Sequence, residues 1–215
     1  MFGIEIEPLI RAIGVLGIAS IIFAESGLLA GFFLPGDTLL FAAGLMASQN
    51  VIGLNVNLLV LVLLVAAIAG NTVAYAFGKK VGRRIFKKPD ALFFNHANLQ
   101  RAEKFYEKYG PATVLFARFV PVVRTFAPVV AGVGNMRHAV FQTYNVIGGF
   151  LWIASVTYLG YFGGTWLEAR GISVDTLVLP VILLAVIIST LSPIVHILRT
   201  KDGRAMFMRK LRIKR

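Results

Sequence analysis

Three long stretches of this chain carry no charge, and two other apolar stretches are interrupted by proline and by ions. No Asp, Glu, Lys or Arg occurs from Thr38 to Gly78, from Ala139 to Leu167, or from Thr176 to Leu198. A helix that crosses a bilayer needs about 20 apolar residues, so the first stretch holds more than one element. Gln49-Asn50 and Gly53 divide it. The pattern predicts full spans over about 55–78, 139–165 and 176–198. The segment 27–47 has Pro35-Gly36-Asp37 in its middle, and 111–136 contains Arg118, Pro121, Arg124 and Pro128. Proline breaks a helix and a charge in lipid is expensive. Both segments are therefore expected to be re-entrant hairpins, shaped by Pro35, Gly36, Pro121 and Pro128, because non-helical backbone is tolerated at membrane depth only inside protein or a wet cavity. Pro8–Ala24 predicts a further helix, long enough to cross only partly or in a thinned bilayer.

Composition supports the membrane reading. The chain has 215 residues, of which 57% are hydrophobic and 15% charged. A soluble domain is about 45–50% apolar and about 25% charged. The fold class expected is thus an all-α integral membrane protein. It comprises two re-entrant hairpins, about three full spans and an interfacial helix, with residues 1–200 as one transmembrane domain and 201–215 as a basic tail. The opening MFGIEIEPLIR has no positive n-region, so insertion by the internal spans is expected rather than a cleaved signal.

The net charge of +12 falls into blocks. Lys79, Lys80, Arg83, Arg84, Lys87 and Lys88 form one block, followed by Arg101, Lys104 and Lys108; residues 199–215 hold eight basic side chains against one aspartate. The positive-inside rule puts both blocks in the cytoplasm, and loop 166–175 outside. The first hairpin then enters from outside and the second from inside, and the two meet near the midplane. The side of the N-terminus stays open. In residues 97–109, Leu99, Ala102, Phe105, Tyr106 and Tyr109 share a helical face opposite Arg101, Lys104 and Lys108, which predicts an amphipathic interfacial helix. The basic tail has no interleaved aromatic pattern beyond Phe207, so lipid headgroups rather than nucleic acid are its expected partner.

The hairpins echo each other. Phe33-Leu34-Pro35 matches Phe119-Val120-Pro121, Asp37-Thr38 is echoed by Arg124-Thr125, and Gly44-Leu45-Met46 by Gly134-Asn135-Met136. Broken segments at corresponding positions in opposite orientation are the mark of an inverted-repeat transporter with its site at the breaks; the alternative is chance likeness of two apolar stretches.

Four ionisable residues lie in or beside the hairpins: Glu25, Asp37, Arg118 and Arg124. Unpaired at mid-bilayer they would cost roughly 10–14 kcal/mol together. Gathered in one hydrated site, they satisfy one another. Two guanidinium groups suit a phosphate, and carboxylates in a poorly solvated site can exchange protons. The expectation is that Arg118 and Arg124 bind a phosphate while Glu25 and Asp37 couple to protons. Simpler roles stand beside these: the arginines could snorkel to the interface, Glu25 could sit among headgroups, and Asp37 could cap the helix beginning at Thr38. Asn71 and Asn145 are weak candidates for the site. Gly148, Gly149, Trp152, Gly160, Gly163 and Gly164 are read as helix-packing positions. Three scattered histidines make no metal site and there is no cysteine, so neither metal nor cofactor is expected.

The set Glu25, Phe33-Leu-Pro-Gly-Asp37, Arg118-Phe-Val-Pro-Val-Val-Arg124, Ala131-Gly132, Met136, Phe141, Asn145, Gly148 and Trp152 resembles the DedA family of membrane proteins, which carry the VTT, or SNARE-associated, domain. The likeness covers about residues 20–165, and its second half is the specific part. Many members have glutamate where Asp37 stands. The resemblance implies two hairpins meeting in the membrane, with two acids and two arginines as functional residues, falling on Glu25, Asp37, Arg118 and Arg124. It further implies lipid translocation, with bacterial members similar to proton-motive-force-linked flippases of undecaprenyl phosphate in the cytoplasmic membrane and eukaryotic relatives similar to scramblases. The leading expectation is therefore a proton-coupled polyprenyl-phosphate flippase. Alternatives are an uncoupled phospholipid scramblase and a proton or cation exchanger. An enzyme such as a lipid phosphatase is disfavoured, because Ser26 and Thr38 have no base beside them.

Overall fold

The computed structural model describes residues 6–28, 34–81 and 110–171, with side chains from Gly14 onward in the first stretch and for all but positions 121 and 122 in the last. The expected interfacial helix 97–109, the span 176–198, the basic tail and most of the first basic block lie outside the described residues.

Among the described residues all regular structure is helical. In chain order these are α1 (Ile6–Gly27), α2 (Gly36–Ser48), α3 (Val56–Val81), a short 3-10 turn (Gly110–Ala112), α4 (Thr113–Ala117), α5 (Pro121–Val133) and α6 (His138–Glu168). The helices α3 and α6, of 26 and 31 residues, are long and apolar enough to cross a membrane. At about 1.5 Å per residue each exceeds the roughly 30 Å hydrocarbon core. α3 begins one residue inside its predicted span and runs three beyond it, and α6 extends its span by one residue at the start and three at the end. α1 runs on past the expected Ala24 to Gly27, so the break begins later and Glu25 belongs to the last turn of that helix.

Proline acts differently at its three positions in the breaks. Pro35 is the N-cap of α2 and Pro121 opens α5, where a missing N–H is of no consequence. Pro128 was expected to interrupt its segment, yet α5 passes through it. Its ring lacks only the hydrogen bond to the carbonyl four residues earlier, that of Arg124; the real break is the turn at 118–120. Both short helices end alike. Val51 N–H donates to Met46 O and Asn50 N–H to Ala47 O; Met136 N–H donates to Ala131 O and Asn135 N–H to Gly132 O. Asn50 and Asn135 take positive φ values of 54° and 53°, so each helix closes with a Schellman cap on an asparagine, which tolerates the left-handed region.

The helices pack through glycine. α2 runs alongside α6 in the same direction: Asp37 meets Trp152, and Gln49 Nε2 donates to Glu168 Oε2 at 3.3 Å. Between these points Gly44 lies on the Thr157 carbonyl and Gly160 on the Phe41 carbonyl, so a Cβ at either would strike backbone oxygen. α5 packs on α3 in the same manner, with Gly132 on the Tyr75 carbonyl and Gly78 on the Val129 carbonyl. In this seam Gly132, not the expected Gly134, is the counterpart of Gly44; Gly134 belongs to the cap. α3 and α6 run antiparallel, as Leu64 beside Gly149 and Tyr75 stacked on Phe141 at 4.5 Å place them.

Polarity is distributed inside out. Leu58, Leu61 and Val65 of α3 and Phe150, Leu159 and Phe162 of α6 are exposed, whereas Glu25, Asn71, Arg118 and Asn145 are buried. A surface of that kind suits lipid rather than water.

Candidate functional site

The end of α1, the start of α2, the turn 118–120 and the start of α5 converge on the middles of α3 and α6. Glu25 reaches the site because Gly36 has no side chain: a Cβ there would fall on the Glu25 carboxylate. Gly27 and Gly70 then bring α1 hard against α3, with the added Cβ of Gly27 2.9 Å from the Gly70 carbonyl oxygen. The glycine at 36 therefore serves space as well as the turn that the sequence suggested.

Arg124 joins the two carboxylates. From the first turn of α5 its Nη1 donates to Asp37 Oδ1 at 2.7 Å, and its Nη2 donates to Glu25 Oε1. The three groups differ in exposure: the side chains are 3% exposed for Glu25, 15% for Arg124 and 49% for Asp37. Glu25 Oε2 is buried and has no hydrogen-bond partner among the described residues. Asp37 does not cap α2. It lies inside the first turn, and that helix has no side-chain cap, because its carboxylate is committed across the site.

Trp152 holds the other side of Asp37. Its indole Nε1–H donates to Asp37 Oδ1 at 2.7 Å, the oxygen that also accepts from Arg124. The same ring lies 4.8 Å from Arg124 Cζ and 5.8 Å from Arg118 Cζ, within range for a cation over an aromatic face. Sequence reasoning read Trp152 as packing. Its place in the motif was the available signal, but nothing local says that its N–H points to a carboxylate 115 positions away.

Arg118 is buried in a cage of amides. It is 4% exposed. Its Nη2 donates to Asn145 Oδ1 at 2.5 Å. The Asn71 amide satisfies its neighbours when its nitrogen faces the Ser26 carbonyl: in that orientation it donates there at 3.0 Å, and its oxygen accepts from Arg118 Nη2 at 2.8 Å. Asn145 Nδ2 donates to Gln142 Oε1 at 2.9 Å, and Gln142 Nε2 donates to Thr72 Oγ1 at 2.7 Å. Gly148 and Gly149 form the floor: a Cβ on either would stand 3.4 Å from Arg118 side-chain atoms. Among the described residues no carboxylate pairs with Arg118, and its Nε has no hydrogen-bond partner. Asn71 and Asn145, weak candidates from sequence, thus surround one guanidinium, while Gln142 and Thr72 were not singled out.

Chemically, the site balances two acids against two guanidinium groups, but the balance is lopsided. One cation holds both anions. The other is solvated by neutral dipoles and retains capacity to donate to an anion. Among the described residues no group of three His, Cys, Asp or Glu is arranged to hold a metal.

The VTT domain family matches residues 34–162. The chain is 43% identical over 185 residues to Protein DedA of Escherichia coli K12, covering 86% of this chain and 82% of that protein. It is 42% identical to an uncharacterized membrane protein of Mycobacterium tuberculosis H37Rv, over 69% of this chain and 65% of that one. It is 35% identical to the inner membrane protein YqjA of Escherichia coli K12, over 67% of this chain and 64% of the relative. No solved structure matches.

Proposed function

This chain belongs to the DedA family of VTT-domain membrane proteins, and from that premise we propose that it carries a phosphate-bearing lipid across the bacterial cytoplasmic membrane. The cargo that fits best is a polyprenyl phosphate such as undecaprenyl phosphate, moved with protons as counter-species. The observation that carries this reading is the junction in which Arg124 bridges Glu25 and Asp37 beside a buried Arg118 that makes no ion pair among the described residues. Two acids and two guanidinium groups balance in formal charge, yet both acids bond Arg124. Arg118 is left with an Nε donor that has no hydrogen-bond partner among the described residues, and that spare donor suits an anion.

In this proposal residues 1–200 form one transmembrane domain, with 201–215 a basic cytoplasmic tail. The segments 27–47, which holds most of α2, and 111–136, which holds α4 and α5, are two re-entrant hairpins that enter from opposite faces. The glycine seams support the inverted-repeat part of the proposal. α2 sits on α6 as α5 sits on α3, by the same carbonyl contacts, while α3 and α6 are antiparallel. In this proposal both breaks lie at mid-depth, where a lipid headgroup crossing the bilayer needs hydration and charge. The phosphate would bind Arg118 and Arg124; Glu25 and Asp37, released from Arg124, would carry protons.

The test is transport by the full chain reconstituted in liposomes, following a polyprenyl phosphate to the outer leaflet with and without a pH gradient. Transport that needs the gradient and is lost in Arg118→Ala and Arg124→Ala is the expected result. Undiminished transport in both variants overturns the mechanism. Equilibration of ordinary phospholipids without a gradient would favour an uncoupled scramblase instead.

A further inference from the structure

The two carboxylates of the site are bonded differently. Among the described residues Glu25 has one partner, the Arg124 guanidinium, through Oε1, and its other oxygen is buried and unpartnered. Among the same residues Asp37 has two partners on one oxygen, Arg124 and the Trp152 indole, and its side chain is half exposed. The charged groups around Glu25 are Arg124 on α5, Asp37 on α2 and Arg118 at the turn. The long helices α3 and α6 bring to the site only side chains that do not ionise, Asn71, Asn145 and Trp152.

Now let an anion draw Arg124 away. Asp37 keeps the indole N–H and is half exposed, so it remains the better satisfied anion. Glu25 keeps no hydrogen bond among the described residues, only the field of Arg118. An unpaired carboxylate that deeply buried is more costly than the neutral acid, and so it neutralises.

We propose that the carboxylates divide the work: Glu25 takes up a proton each time Arg124 turns to the lipid phosphate, while Asp37, pinned by Trp152, stays ionised and recaptures Arg124 when the phosphate leaves. The inference deepens, and rests on, the phosphate-lipid reading above. The step balances simply. The Arg124 Nη2–H bond to Glu25 Oε1 is exchanged for one to a phosphate oxygen, and the freed carboxylate accepts one proton from water. Trp152 is a positioning residue: it holds Asp37 and lies under both guanidinium groups, which lessens their mutual repulsion when an anion has drawn them together.

The experiment is proton uptake on binding. Purified full-length protein in weakly buffered detergent at alkaline pH receives a short-chain polyprenyl phosphate, and an indicator dye reads the protons absorbed. The Glu25→Gln/Asp37→Asn double variant sets the zero for titration of the lipid itself. Wild type should absorb about one proton per bound phosphate. Glu25→Gln should bind and absorb about none, and Asp37→Asn should bind more weakly yet absorb about one. Uptake that survives Glu25→Gln and vanishes in Asp37→Asn overturns the division while leaving the transporter reading intact. Binding of the lipid by no form, wild type included, removes the reading and the inference together.

A second readout does not depend on the Glu25 variant folding. The chain has two tryptophans, and Trp166 lies exposed beneath Arg170, outside the site. In Trp166→Phe protein the emission is that of Trp152. It should shift when the phosphate lipid binds, as Arg124 leaves the ring. In the same background, Asp37→Asn should shift the emission before any lipid is added. Emission unchanged by both lipid and Asp37→Asn means that the indole does not hold Asp37, and the proposal fails.

Discussion

Arg118 and Arg124 stand six positions apart on either side of one break, and the fold solves the burial of each by opposite means. Arg124 is held by ions: two carboxylates, drawn from α1 and α2, meet its two Nη atoms. Arg118 is held by dipoles: two asparagine amides on α3 and α6 accept from it, and Gly148 and Gly149 lie beside its side chain. The difference teaches where the cost of a substitution will fall. Removing an ion from an ion-paired site leaves the counter-ions stranded. Removing it from an amide cage leaves neutral groups that can bond to one another.

The contrast can be broken by measuring stability, through chemical unfolding in mixed detergent micelles. The largest effect is expected for Arg124→Ala, which leaves Glu25 and Asp37 facing each other; the loss should be about 3–5 kcal/mol. That loss should be mostly recovered in Arg124→Ala/Glu25→Gln/Asp37→Asn, because no charge is then stranded. A triple variant as unstable as the single one would mean that packing, not ion pairing, holds the junction.

Gly36→Ala comes next. The new methyl falls where the Glu25 carboxylate sits, and forcing the two apart should cost about 1–3 kcal/mol and abolish transport. Wild-type stability in this variant would show that Glu25 can retreat freely, and that its junction is looser than the cage around Arg118.

Arg118→Gln sharpens the comparison from the other side. A glutamine can continue to bond Asn71 and Asn145, so the loss should stay near 1 kcal/mol even though transport disappears. A loss equal to that of Arg124→Ala would erase the distinction between the two sites. At the small end, Gln49→Ala removes a 3.3 Å contact to Glu168 at the exposed end of α2. It should change stability by about 0.5 kcal/mol or less. A larger loss would mean that the α2–α6 seam is secured at its end rather than along its glycines.

Much of the framework is legible along the chain. The absence of charge marks α3 and α6 within a few residues, since a helix in lipid is selected on composition over some twenty positions. The turn at Gln49–Gly53 and the helix start at Pro121 can be read from local backbone chemistry. Pro128 misled, because one missing N–H does not stop a helix whose neighbours hold it in place. The four ionisable residues draw notice because an ion in an apolar segment is conspicuous. Which ion meets which does not follow from that: Arg124 finds Glu25 across 99 positions and Asp37 across 87, and Arg118 makes no ion pair among the described residues.

The sequence by itself determined the apolar lengths, the breaks and the short roster of charges, because each of these is a property of a few neighbouring residues. Tertiary structure alone decided that one arginine takes both acids, that Trp152 turns its N–H to Asp37, and that the glycine at 36 is space for the Glu25 carboxylate. The physical reason is range. Hydropathy and helix breaking act within a turn or two, whereas the partner of a buried charge is whatever the packing of distant helices brings within 3 Å of it.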